Sequence, residues 1–135
     1  MKNRARSLIY TTGLPPSVIA AAIAGIKIIQ RDTERVARPF KLAQLFCSRL
    51  GLASPQSAIV PVVIGEEDAA LVASKILEER GFLVTPIRPP TVPAGTSRLR
   101  FTFTAEHTEA QVAALVGAVT PLIEDLESMS KITNG

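Results

Sequence analysis

At 135 residues, with 47% hydrophobic and 20% charged positions, the chain can bury the core of one ordinary domain and is not a disordered polymer. Aromatics make up only 4% and Trp is absent, so the core must be aliphatic, and the single cysteine excludes an internal disulfide. The net charge of +3 hides an asymmetry, nine Lys/Arg against two Asp/Glu over residues 1–50 and six against ten over 51–135, but the bases are dispersed without interleaved aromatics, which argues against a nucleic-acid partner.

In chain order, Lys2, Arg4 and Arg6 precede an apolar stretch from Leu8 to Ile29 that imitates a secretory signal. Pro15 and Pro16 divide it and Lys27 interrupts its end, leaving far fewer than the ~20 apolar residues a spanning helix needs, so no membrane partner is expected. Residues 8–12 are β-prone and end at Gly13. Pro15-Pro16 suits a helix entry, and 17–30 is apolar almost all round, which predicts a helix buried on most sides.

Asp32-Thr33 opens a second helix ending at Gly51, with a break or kink at Pro39. Cys47 lies in its apolar stretch and reads as a small buried hydrophobe, in keeping with a reducing, cytoplasmic setting. Residues 58–64 read as a short buried strand that Pro61 assigns to an edge or irregular position. Glu66, Glu67 and Asp68 oppose the positive end of the next helix dipole, and Ala69, Val72, Ala73, Ile76 and Leu77 form its apolar stripe before a stop at Gly81.

A strand over 82–87 follows, then a proline-stiffened loop to Ser97. Over 98–104 the alternation is clean: Leu99, Phe101 and Phe103 face one way, Arg98, Arg100, Thr102 and Thr104 the other. Thr108 with Gln111 makes a capping box for a last helix, bent at Pro121, that gives way to a frayed tail over 128–135. Strand, helix, strand, strand, helix is an α/β unit whose small, mainly antiparallel sheet carries helices on one face.

Conventional catalytic motifs are missing: no GxGxxG, no phosphate-binding glycine loop and no HExxH occurs. His107 is the only histidine, and its place just before the cap suits a solvated or helix-end role. The acidic groups 66–68 and 78–79 suit solvated helix ends. Arg98 and Arg100, two apart on one strand face, could grip a carboxylate bidentately or simply be solvated. The segment Arg88-Pro89-Pro90-Thr91 reads as a stiffened turn.

Two stretches add a resemblance. TPIRPPTVPAGTSRLR over 85–100, followed by FTFTAEH to residue 107, resembles the C-terminal signature of the α-oxoamine synthases, and LIYTTGLPP over 8–16 resembles the segment shortly after that family's cofactor lysine. The resemblance runs in register over 5–127. It implies the class I/II aminotransferase fold, fold type I among pyridoxal-phosphate enzymes, and condensation of an amino acid with an acyl thioester on pyridoxal phosphate. The proline-rich form over 87–95 is most similar to the branch that joins alanine to a pimeloyl thioester in biotin synthesis.

Carried over by position, Arg100 corresponds to the arginine that binds the amino-acid carboxylate. Arg88 and Thr91 correspond to the loop lining the substrate channel, and Thr11 and Thr12 to the hydroxyl pair that reaches the cofactor phosphate. The family's Schiff-base lysine has no counterpart, since Lys2, Lys27, Lys41 and Lys131 occur outside its Ser-Lys context and Lys75 follows a serine far downstream. The resemblance therefore implies a C-terminal part: 1–51 as the end of a large domain with connecting helices, 52–128 as the small α/β domain, and 129–135 as tail. Its implied partners are the missing large domain or upstream half, a second copy in a homodimer, and the two substrates. Such a part is expected to be inactive alone. The alternative is a stand-alone carboxylate-binding or interaction module without catalysis.

Overall fold

The computed structural model describes residues 13–133, with side chains to residue 125, and divides into two compact units, 1–36 and 37–135. In the first, α1 (Pro16–Arg31) starts with Pro15 in an extended conformation as cap and Pro16 at the first helical position, where a missing N–H loses no hydrogen bond. None of its residues is buried: Val18, Ile19, Ile23, Ile26 and Ile29 are all at least 44% exposed. The burial expected from its apolar composition is not found among the described residues. The β-prone segment 8–12 lies outside the described residues.

Asp32 joins α1 to α2 (Thr33–Arg49), closing the first with its N–H on the Ile28 carbonyl and capping the second through Oδ1, which accepts the Arg35 N–H at 3.0 Å. Of the break or kink expected at Pro39, the break does not occur. Pro39 falls early in the helix, where it removes one donor from the ladder while the residues beyond it continue. The C-terminal half of α2 buries Leu42, Ala43, Phe46 and Cys47, and burial raises the Cys47 thiol pKa by disfavouring the thiolate. Gly51, at φ 65°, ends the helix in a Schellman turn, with the Leu52 N–H on the Cys47 carbonyl at 2.9 Å.

The rest of the second unit is a three-stranded antiparallel sheet with order β1-β3-β2, where β1 is Ile59–Gly65, β2 is Thr85–Ile87 and β3 is Ser97–Thr102. Pro61 lies on an edge strand, as expected. The Phe103 N–H donates to the Ala58 carbonyl at 2.9 Å, and the register sets Val60 opposite Phe101 and Val62 opposite Leu99. Positions 58, 60 and 62 therefore bond inward to β3, and the missing N–H of Pro61 falls on the free side. The strand is buried on one face only, through Val60 and Val62, while Ile59 and Val63 are exposed.

Between β1 and β2 runs α3 (Glu67–Glu79), with Glu67 and Asp68 in its first turn. Its buried residues are Ala70, Ala73 and Leu77, whereas Val72 is 58% exposed. The packed face is thus rotated from the stripe of larger apolar residues, and two alanines let the helix approach the sheet closely. Gly81, at φ 87°, repeats the Schellman ending, with the Phe82 N–H on the Leu77 carbonyl at 2.8 Å. The strand expected over 82–87 is shorter than its pattern: 82–84 leave β3, and the Ser74 hydroxyl takes the Val84 carbonyl at 2.7 Å.

The capping box forms as expected. The Thr108 N–H donates to Gln111 Oε1 at 2.9 Å and the Gln111 N–H to Thr108 Oγ1 at 3.2 Å. It opens α4 (Glu109–Thr133), which continues through Pro121 and runs past the point where a frayed tail was expected. Val112, Ala118 and Val119 of α4 join Phe46, Leu77, Leu99, Phe101 and Phe103 in one core. Phe46 lies 4.8 Å from Phe101 and 5.3 Å from Phe103 between ring centroids, so α2 anchors on the inner face of β3.

Candidate functional site

Alternation along β3 decides which side chains reach solvent. Leu99, Phe101 and the following Phe103 are buried on the helix-covered face; Arg98 is half-buried, and Arg100 and Thr102 are exposed on the other. Cross-strand pairing gives each arginine its neighbours. Arg98 sits between Val63 of β1 and Ile87 of β2, and Arg100 between Pro61 and Thr85. The outer face therefore carries two arginine positions flanked in register by apolar or small residues.

The two arginines are not equivalent. Arg98 donates through Nε to the Thr96 carbonyl at 3.1 Å, which ties it to the loop before β3. Arg100 has no hydrogen-bond or ion-pair partner among the described residues, so its fork is available to a planar anion.

Beyond Ile87 the chain turns at Arg88–Thr91: the Pro89–Pro90 peptide is cis, and the Thr91 N–H donates to the Arg88 carbonyl at 3.0 Å. The turn brings Arg88 and Thr91 to the end of β2, beside the Arg98 row. Arg88 itself is engaged, forming an ion pair with Glu67 in the first turn of α3. Sequence reasoning missed that partner. It assigned Glu67 to the helix dipole, and a pairing across 21 positions leaves no periodic signal. Thr11 and Thr12 lie outside the described residues.

Other candidates take structural roles. His107 Nδ1 accepts the Thr104 N–H at 3.1 Å, and its ring meets Phe103 edge-on, so it shapes the turn before α4. Among the described residues no cluster of His, Cys, Asp and Glu suits a metal, and no helix is long and apolar enough to cross a membrane.

Comparison with known proteins places this geometry. The aminotransferase class I and II family matches residues 1–119. The chain belongs to that family. The 8-amino-7-oxononanoate synthase of Methylobacterium nodulans is 57% identical over 122 residues, which are 90% of this chain and 32% of that enzyme. A structure of SPT with a PLP internal aldimine superimposes with a TM-score of 0.83 at 31% identity, covering 93% of this chain and 33% of the other. The 8-amino-7-oxononanoate synthase of Francisella tularensis shares the fold, with a TM-score of 0.73 at 23% identity, over 91% of this chain and 37% of that one. The chain thus spans about a third of the length of the relatives it matches. Pyridoxal phosphate is the cofactor by family, and the fold is the small antiparallel α/β domain of fold-type I enzymes.

Proposed function

We propose that the chain supplies the substrate-gripping third of a pyridoxal-phosphate-dependent synthase that condenses alanine with a pimeloyl thioester to 8-amino-7-oxononanoate, for biotin synthesis in the cytoplasm. The observation that carries this reading is Arg100, a guanidinium without partner among the described residues, on the open face of β3 in a chain so similar to 8-amino-7-oxononanoate synthases.

In this reading the Arg100 fork binds and orients the amino-acid carboxylate through two parallel N–H···O bonds, a geometry lysine cannot reproduce. Arg88 and Thr91, on their stiffened turn, line the path of the acyl thioester, and Thr11 and Thr12 donate hydroxyls to the cofactor phosphate. The cofactor, when bound, supplies the electron sink for the bond changes at the amino acid's α-carbon.

The described residues fit the substrate side of that group but not its anchorage. Lys27, Lys41 and Lys75 are all exposed, and none offers the sheltered amine that a covalent link to the cofactor needs. The anchoring lysine is therefore assigned to an upstream large domain, with residues 1–51 as its end and connecting helices, 52–128 as the small domain and 129–135 as tail. Val18 and the exposed isoleucines of α1 are the surface that domain covers, and the intact enzyme is a homodimer.

Complementation tests the reading. The chain is co-expressed with the upstream two-thirds of the Methylobacterium nodulans relative, and the purified complex is assayed for the cofactor's absorbance band and for coenzyme A release from alanine and pimeloyl-coenzyme A. Turnover by the complex and none by the chain alone is expected. A stable complex that binds the cofactor but turns over no better than the upstream part alone would overturn it.

A further inference from the structure

On the opposite side of the sheet from Arg100, where residues 82–84 diverge from β3, lies a cavity of about 290 Å³ between that segment, the end of β3 and the first turns of α4. Its apolar lining includes Phe82, Val84, Phe101, Val112 and Leu115. Of its polar residues, Thr102 belongs to the outer, exposed set of β3, which leaves the side chains of His107 and Gln111.

Both have already committed an acceptor to the backbone. His107 Nδ1 accepts the Thr104 N–H at 3.1 Å, so the neutral ring carries its proton on Nε2. Gln111 Oε1 accepts the Thr108 N–H at 2.9 Å, leaving its amide NH₂. What these side chains retain for an occupant is donors. Nearby, the Arg38 guanidinium donates to the His107 carbonyl at 3.2 Å and adds a positive charge beside the rim.

A half-open, mainly apolar cavity whose His107 and Gln111 side chains retain donors, with a cation next to it, favours a ligand with an apolar body and an anionic acceptor at one end. We propose that this cavity is a binding site for a small aliphatic carboxylic acid, separate from the Arg100 face. The ligand's chain lies against Phe82, Val84 and Leu115, and its carboxylate accepts from His107 Nε2–H and the Gln111 amide.

The capping box provides a selective test. Glu serves the helix N-terminus as well as Gln, so Gln111→Glu keeps the acceptor for the Thr108 N–H while replacing the donor with a carboxylate. The ¹⁵N-labelled full chain is titrated with hexanoate, hexanol and hexylamine while the amides of 81–84, 101–103 and 107–115 are followed by NMR. Hexanoate should shift these amides at lower concentration than hexanol, with hexylamine weakest. Gln111→Glu should weaken hexanoate at least about tenfold, the loss of a hydrogen bond to a charged group.

Arg100→Ala should leave these shifts in place, which separates the cavity from carboxylate capture on the outer face. Leu115→Phe, which fills the chamber, should abolish binding of both hexanoate and hexanol. Equal binding of hexylamine, unchanged hexanoate affinity in Gln111→Glu, or shifts confined to β3's outer-face neighbours would overturn the proposal.

Discussion

The two faces of β3 are made from alternate residues of one six-residue strand, yet they meet different physical demands. The inner set, Ser97, Leu99 and Phe101, is at most 2% exposed and is held by α2, α3 and α4, so each side chain is constrained by its neighbours' volumes. The outer set, Arg98, Arg100 and Thr102, is constrained by cross-strand neighbours and by the Arg98 bond to the Thr96 carbonyl, and leaves the Arg100 guanidinium without a partner among the described residues. A strand positioned by its inner face can therefore carry almost any chemistry on its outer one, and substitutions on the two faces should separate stability from binding.

The largest expected effect is on the inner side. Phe46→Ala removes the ring that meets both Phe101 and Phe103, and should destabilise the fold by about 3–5 kcal/mol in chemical denaturation. A loss below about 1 kcal/mol would mean that α2 does not anchor the sheet. Ser97 tests the same face in the opposite direction. It is fully buried and its hydroxyl has no partner among the described residues, so Ser97→Ala should stabilise by about 1 kcal/mol.

Cys47 links the inner face to pH. Burial raises its folded-state pKa, so its contribution is intact below the unfolded thiol's pKa. That contribution is lost as pH rises towards the folded value, because the unfolded chain ionises first. Cys47→Ala should therefore flatten the alkaline fall in stability, measured by denaturation at neutral and alkaline pH.

The smallest effects on stability belong outside. Glu67→Gln breaks a half-exposed ion pair and should cost no more than about 1 kcal/mol. Arg100→Ala should move stability by less than about 0.5 kcal/mol while abolishing turnover in the complemented enzyme. A large loss of stability in Arg100→Ala would erase the distinction between the faces.

Local signals made much of this legible in the sequence. The alternation through Leu99, Phe101 and Phe103 assigns β3 and its faces, the Thr108–Gln111 box places the start of α4, and Gly51 and Gly81 mark two helix ends. What escaped the sequence depends on partners distant along the chain. The packed face of α3 is chosen by how closely Ala70 and Ala73 let it approach the sheet, which periodicity of the larger side chains misses. The shortened β2 reflects 82–84 leaving β3, and the Glu67–Arg88 pair arises only once α3 and the turn at 88–91 are folded. For the site, the motif resemblance singled out Arg100, but its lack of a partner among the described residues and the engagement of Arg88 required the structure.

Pro61 has a consequence for how such a chain behaves in a crowded solution. Because positions 59, 61 and 63 turn their backbone outward, a strand from another molecule trying to extend the sheet at β1 meets a gap in the row of donors at its centre. The opposite margin, β2, is only three residues long and contains Pro86. Both margins are thus poor templates for growth by strand addition. Association, when it occurs, should run through side-chain surfaces such as α1, producing complexes that mild detergent disperses rather than cross-β fibres.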